Sequence, residues 1–136
     1  MTGIVLDTSA LVAIVVDEPG GVWLAEQIAT AEERIMAAPS ALELGIVLEG
    51  RTPAATGIAR RVLRDARVSV VAFDEELAER ALDAWRRFGK GRNAAALNFG
   101  DCFTYGLAEH TGYPILCVGD DFNQTDLPVV QPPRTS

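Results

Sequence analysis

Four short runs in this chain stay apolar at nearly every position instead of alternating with polar residues: 3–6, 34–38, 68–72 and 114–118. Runs of that kind read as strands buried on both faces, the habit of a parallel sheet. Val129-Val130 forms a weaker fifth run. Between the runs the pattern changes to a helical period. Residues 9–16 are short and apolar, 21–31 carry Trp23 and Ile28 beside a polar face, and 40–51 repeat apolar positions at Leu42, Ile46 and Val47. A helix over 53–66 opens with Pro53 in its first turn, where the missing N–H costs nothing. Residues 74–88 start at a capping Asp74 and the acidic pair Glu75-Glu76, with Leu77, Ala81 and Trp85 as the expected buried face. Gly89-Lys90-Gly91-Arg92 breaks that helix, and a last one runs from Asn98 or Gly100 to His110, with Gly112 suited to its C-cap. Strands alternating with helices predict an α/β fold, a three-layer α/β/α sandwich around a central, mostly parallel sheet of four to five strands.

A length of 136 residues fits one domain, 1–136, and 49% hydrophobic with 23% charged residues supports a packed core. No internal repeat stands out, and the only biased stretch is the tail Gln131-Pro132-Pro133-Arg134-Thr135-Ser136. The start, Met1-Thr2-Gly3, has no basic region and meets Asp7 after a short apolar run, so no secretory signal is expected. No uninterrupted apolar run reaches the roughly 18 residues of a membrane span. Cys102 and Cys117 form neither a close metal pair nor a disulfide framework and read as core residues. The expectation is a soluble cytoplasmic protein that does not engage membranes.

Twelve basic against nineteen acidic residues leave a net charge of −7, which argues against capture of nucleic acid by bulk charge. The basic residues are nevertheless clustered. Nine of the twelve fall in two segments: Arg51, Arg60, Arg61, Arg64 and Arg67 in one helical hairpin, and Arg86, Arg87, Lys90 and Arg92 just before the last helix. The second group is a candidate RNA-facing patch, while the first serves equally well as a solvated helical surface. His110 reads as a helix-end residue. Trp23, Trp85 and Tyr105 read as core or subunit-interface aromatics.

Ligands of an open α/β sheet bind beyond the carboxyl ends of its strands. Asp7 follows the first strand, with Thr8-Ser9 behind it; Glu43 lies one turn into the helix after the second; Asp101 starts the last helix; and Gly119-Asp120-Asp121-Phe122 follows the fourth strand. Each acid has a plainer use. Asp7 would cap a helix, Ser40 to Glu43 and Asn98 to Asp101 match capping boxes, and Asp120-Asp121 fits a turn. Four carboxylates at one rim, however, repel one another unless a cation neutralises them. Oxygen-only ligands select hard ions, Mg²⁺ or Mn²⁺, and such a rim suits phosphodiester hydrolysis.

Taken together, Val5-Leu6-Asp7-Thr8-Ser9, Ala41-Leu42-Glu43-Leu44, Leu97-Asn98-Phe99-Gly100-Asp101-Cys102-Phe103 and Val118-Gly119-Asp120-Asp121-Phe122 resemble, in order and spacing, a PIN-domain ribonuclease of the VapC toxin type. The resemblance spans essentially the whole chain and implies a PIN-like sandwich. It also implies an Mg²⁺- or Mn²⁺-dependent endoribonuclease that cuts structured RNA, tRNA or rRNA, through a metal-activated water, and that a VapB-type antitoxin restrains. On that reading Asp7 and Asp101 ligate the metal directly, and Glu43 and Asp121 act through water, with Asp120 competing for the fourth place. Thr8 or Ser9 supplies a supporting hydroxyl. The assembly would be a homodimer or a toxin–antitoxin hetero-oligomer, and the apolar residues 11–16 with Val22 and Leu24 would pack against a partner or within the monomer. Two other readings compete. One is a catalytically weak PIN module that acts by binding antitoxin or RNA. The other is a metal-dependent phosphohydrolase of the haloacid dehalogenase type, which needs a second Asp where this chain has Ser9.

Overall fold

Side chains of β1 (Gly3–Leu6) split between two apolar layers, Ile4 and Leu6 into one and Val5 into the other, and β2 (Glu33–Ala37) does the same with Met36 against Ile35 and Ala37. A strand that is apolar at successive positions is satisfied only when helices cover both faces, because its side chains alternate across the sheet. The computed structural model, which describes residues 3–133, has that arrangement. With β3 (Ser69–Val71), β4 (Ile115–Leu116) and β5 (Val129–Val130) the strands form one parallel sheet in the order β3-β2-β1-β4-β5. β1 is central, pairing Val5 with Ile35 on one side and Ile115 on the other. Strand order reverses at β1 and β4, which marks where a ligand site belongs. The expected Met1-Thr2 start and the Arg134-Thr135-Ser136 end of the tail lie outside the described residues.

One face of the sheet is covered by α1 (Thr8–Val15), α2 (Gly21–Thr30), α3 (Ala38–Arg51) and α4 (Ile58–Asp65), through Leu11, Leu24, Ile28, Leu44, Leu48 and Leu63. The other carries α5 (Glu75–Phe88) and α6 (Phe99–Thr111), through Leu77, Ala81, Ala84, Tyr105 and Leu107. Both cysteines are buried free thiols. Among the described residues no helix is long and apolar enough to cross a membrane.

Several expectations shift. The single helix over 53–66 divides into a 3₁₀ turn, Pro53–Ala55, and α4, because Gly57 takes a left-handed φ of 78° that a continuous helix does not allow. α3 starts at Ala38, not Ser40, so Ser40 sits inside the first turn and the capping box of Ser40 with Glu43 does not form. Leu42 and Ile46 point outward while Leu44 and Leu48 are buried. Trp85 is not part of the buried face of α5; it is 40% exposed, and Ala84 takes the inner position. The Trp85 ring lies under the Arg92 guanidinium instead, while α5 and α6 approach closely at Gly106, where a Cβ would stand 3.2 Å from the Leu77 carbonyl oxygen. Leu11, Ala13 and Leu24 are core residues of the monomer, which leaves Val22 as the exposed member of that set.

Candidate active site

The carboxyl ends of β1 and β4, the first turn of α6 and the second turn of α3 enclose a cavity of about 310 Å³ lined by Asp7, Glu43, Asp101 and Asp121. Asp7 caps α1, accepting the Ser9 amide at 3.1 Å. Its other oxygen accepts the Thr104 hydroxyl at 2.7 Å. Asp101 occupies the third position of α6 in a complete capping box: the Asp101 amide donates to the Asn98 side chain at 2.9 Å and the Asn98 amide donates to Asp101 at 3.0 Å. Capping and presentation to the cavity are thus two uses of one residue. Both carboxylates are 7% exposed, and none of the four acids forms an ion pair among the described residues.

That burial has an electrostatic consequence. Desolvation, with the charges of Asp7 and Asp121 adding to it, pushes the Asp101 carboxyl up to about 7, against the opposing pull of the Asn98 N–H. Asp121 faces Asp101 closely enough to hydrogen-bond to it when one of them carries a proton. Asp120 instead turns to Asn123, accepting its side-chain amide at 2.9 Å. The geometry therefore favours Asp121 as the fourth acid.

Glu43 approaches from α3 over Gly100. A Cβ at position 100 would meet the Glu43 carboxylate oxygens at 2.8 and 2.9 Å, so a hydrogen there is what lets α3 and α6 bring their acids together. Gly100→Ala is expected to displace Glu43 and lower catalytic turnover about tenfold, a cost typical of residues that orient a metal centre. Heat stability should hold or rise, since Ala is the better helix former by up to about 1 kcal/mol. Comparing melting temperature with turnover for the one variant checks both halves.

Thr8 and Ser9 both line the cavity, but neither hydroxyl reaches Asp7. Thr8 donates to the Ser40 carbonyl at 3.0 Å, and the Ser9 hydroxyl accepts the Val118 amide at 3.0 Å. The hydroxyl that reaches Asp7 belongs to Thr104, one helical turn from Asp101. The helical spacing places Thr104 on the same face of α6 as Asp101, but its partner Asp7 lies 97 residues away, a contact that no local pattern encodes. Glu18, in the turn after α1, also lines the cavity, and no sequence pattern pointed to it.

The basic segment divides. Arg86, Lys90 and Arg92 are exposed and make no ion pair among the described residues. Arg87 is engaged: it donates to Asp126 at 2.7 Å and lies 3.5 Å from Glu109, while the Tyr105 hydroxyl donates to the same Asp126 at 2.5 Å. Tyr105 and Arg87 hold the Asp126 carboxyl below its usual range. Asp101 and Tyr105, one turn apart on α6, thus meet the loop after β4 at Asp121 and Asp126 and set its position over the cavity.

Every charged donor around the cavity is a carboxylate, a hard ligand set that fits Mg²⁺ or Mn²⁺. Burial, with the surrounding acids, raises the Cys117 thiol to about 12, which keeps it protonated and unsuited to a soft metal. His110 stands nine residues after Asp101, roughly 13 Å along α6, with its ring 3.6 Å from Glu76. Among the described residues no three of these side chains are already drawn into a closed ligand set. They line the cavity instead.

The model of the PIN domain family matches residues 4–127. The chain is 45% identical over 127 residues to the protein named Ribonuclease VapC of Mycolicibacterium smegmatis, covering 93% of this chain and 98% of that one. Its fold is shared with Mycobacterium tuberculosis VapC20, described as a toxin that cleaves the sarcin-ricin loop (TM-score 0.73, 19% identity, 95% and 99% of the two chains). It is shared too with a chain of a toxin–antitoxin complex from Klebsiella pneumoniae (TM-score 0.70, 14% identity, 93% and 96%). A match in sequence and fold along almost the whole length means that the chain belongs to the PIN-domain family, in its VapC branch.

Proposed function

We propose that this chain is a divalent-metal-dependent endoribonuclease, the toxin of a toxin–antitoxin pair, acting on tRNA or rRNA at the four-acid cavity. The observation that carries the reading is the burial of Asp7 and Asp101 near one another, with no cationic side chain among the described residues paired to either. Uncompensated buried carboxylates are costly, and a protein keeps them where a cation supplies the missing charge. A bound Mg²⁺ or Mn²⁺ would neutralise charge on the scissile phosphate and acidify water.

The rest of the work falls to the chain. Thr104 and the Ser9 amide fix the two oxygens of Asp7, and Asn98 fixes Asp101, so these two held carboxylates would be the direct ligands of a metal. Glu43, half-buried, and Asp121, exposed, would hold the metal through water and orient a water for attack. Arg86, Lys90 and Arg92 hold RNA phosphates beside the cavity. Arg87 does not belong to that group, since its charge is committed to Asp126.

Relatives described as toxins in complex with antitoxins support the partner reading. A basic antitoxin segment would place Arg against the acid rim. The exposed Leu42, Ile46 and Val70 border an open groove between α3 and α4, and they offer apolar surface to an antitoxin helix or a second subunit.

The test is a brief pulse of expression in a bacterial host, followed by sequencing of RNA ends. Growth arrest with discrete new ends in tRNA or rRNA is expected, and Asp101→Asn should remove both. Arrest that survives the substitution would overturn the nuclease reading and leave antitoxin or RNA binding as the main act.

A further inference from the structure

Phe99 is 80% exposed, the most exposed large apolar side chain among the described residues. It begins α6, two residues before Asp101. Behind it runs a groove of about 560 Å³ lined by Phe73, Leu82, Trp85, Phe103 and Lys90. Phe99 stacks edge-on against Phe103 at 4.7 Å, and Phe103 against Phe73 at 5.1 Å, so its ring is braced on one side and open on the other. Two further features say what this surface is for. Asn98 lines both this groove and the four-acid cavity, so the two are neighbours on one surface, with Phe99 directly after Asn98 at the start of α6. The groove is also edged by cations that form no ion pair among the described residues: Lys90 lines it, and the Arg92 guanidinium, whose Nε donates to the Arg86 carbonyl at 3.2 Å, lies over the Trp85 ring at 4.6 Å.

Aromatic faces beside backbone-neutralising cations are the makings of a single-strand nucleic-acid platform, because every base has a π-face and every nucleotide a phosphate. We propose that Phe99 is a stacking platform for an unpaired base next to the scissile phosphate, with Lys90 and Arg92 on the phosphates that follow. This rests on the ribonuclease reading and adds to it a residue of this chain that holds a base beside the bond cut. It also gives Trp85 a reason to lie outside the core.

The test uses the full-length chain in EDTA, so that binding is read without cleavage, and a short single-stranded RNA carrying 2-aminopurine. Three proteins are compared: wild type, Phe99→Leu, which keeps apolar bulk but removes the ring face, and Phe99→Tyr, which restores it. Wild type and Phe99→Tyr should quench the probe and bind alike, whereas Phe99→Leu should lose the quench and bind about tenfold more weakly, the scale of one lost base stack. Melting temperatures should match, since the side chain is exposed. Equal quenching and affinity in all three, or no binding by wild type, would overturn the platform. A change of sedimentation with Phe99→Leu would overturn it too, assigning the groove to a second copy of the chain. Cleavage of the same RNA with Mn²⁺ is scored separately, so a protein that cuts RNA but ignores the ring keeps the nuclease reading and loses this one.

Discussion

Asp101→Asn is expected to lower RNA cleavage by roughly a thousandfold or more while leaving the metal-free protein at least as heat-stable as wild type. On the proposed metal-dependent reading the substitution removes a direct ligand, which forfeits several kcal/mol of charge stabilisation in the transition state. The stability follows from what the carboxylate costs. Asp101 is 7% exposed and faces two other acids, Asp7 and Asp121. An amide keeps the oxygen that accepts the Asn98 N–H and removes the charge. A residue retained only to hold the fold would behave in the opposite way. The same argument grades the other acids. Asp7→Asn should approach Asp101→Asn in its effect, Asp121→Asn should lose less, and Asp120→Asn should stay near wild type, since Asp120 turns to Asn123. Turnover and melting temperature across the four variants check the order.

Adding Mn²⁺ to the metal-free protein should raise its melting temperature, and the rise should grow with pH. At about one hundred times its dissociation constant the ion contributes about 2.7 kcal/mol, which is about 5–10 °C for a domain of this size. The pH dependence comes from Asp101. Its carboxyl is raised from the ordinary 3.8 to about 7, so between those values the folded chain holds a proton that the unfolded chain has released. That favours folding most below about pH 4 and is lost as pH rises through about 7. The metal must displace the same proton. Melting curves with and without Mn²⁺ should therefore differ little near pH 5.5 and widely near pH 8, and Asp101→Asn should flatten the dependence. A shift of equal size at every pH would remove Asp101 from the metal site.

The strands and the acids were legible in the sequence because each leaves a local mark. A run apolar at every position has one comfortable home, a sheet covered on both faces, and β1, β2 and even the short β5 bear this out. Acids just past such runs stand out because local capping alone explains only part of them, and the structure gives Asp101 both roles at once. What was not legible depends on contacts between elements distant in sequence. Trp85 follows the helical period to the core, but Ala84 takes the inner position and the Trp85 ring lies under Arg92 at the surface. Ser40 and Glu43 match a capping box, but α3 begins two residues early. Thr104, not Thr8 or Ser9, reaches Asp7, across a separation of 97 residues that no local pattern encodes. Arg87 looked like a free cation until the fold set it against Asp126.

The most direct measurement of the central claim is incubation of purified, antitoxin-free protein with total RNA, with Mn²⁺ and with EDTA, beside Asp101→Asn. The account predicts discrete cleavage of tRNA or rRNA by wild type with Mn²⁺ alone, and intact RNA in EDTA and with the variant. Intact RNA in every lane, or equal cleavage with EDTA or by Asp101→Asn, would contradict it.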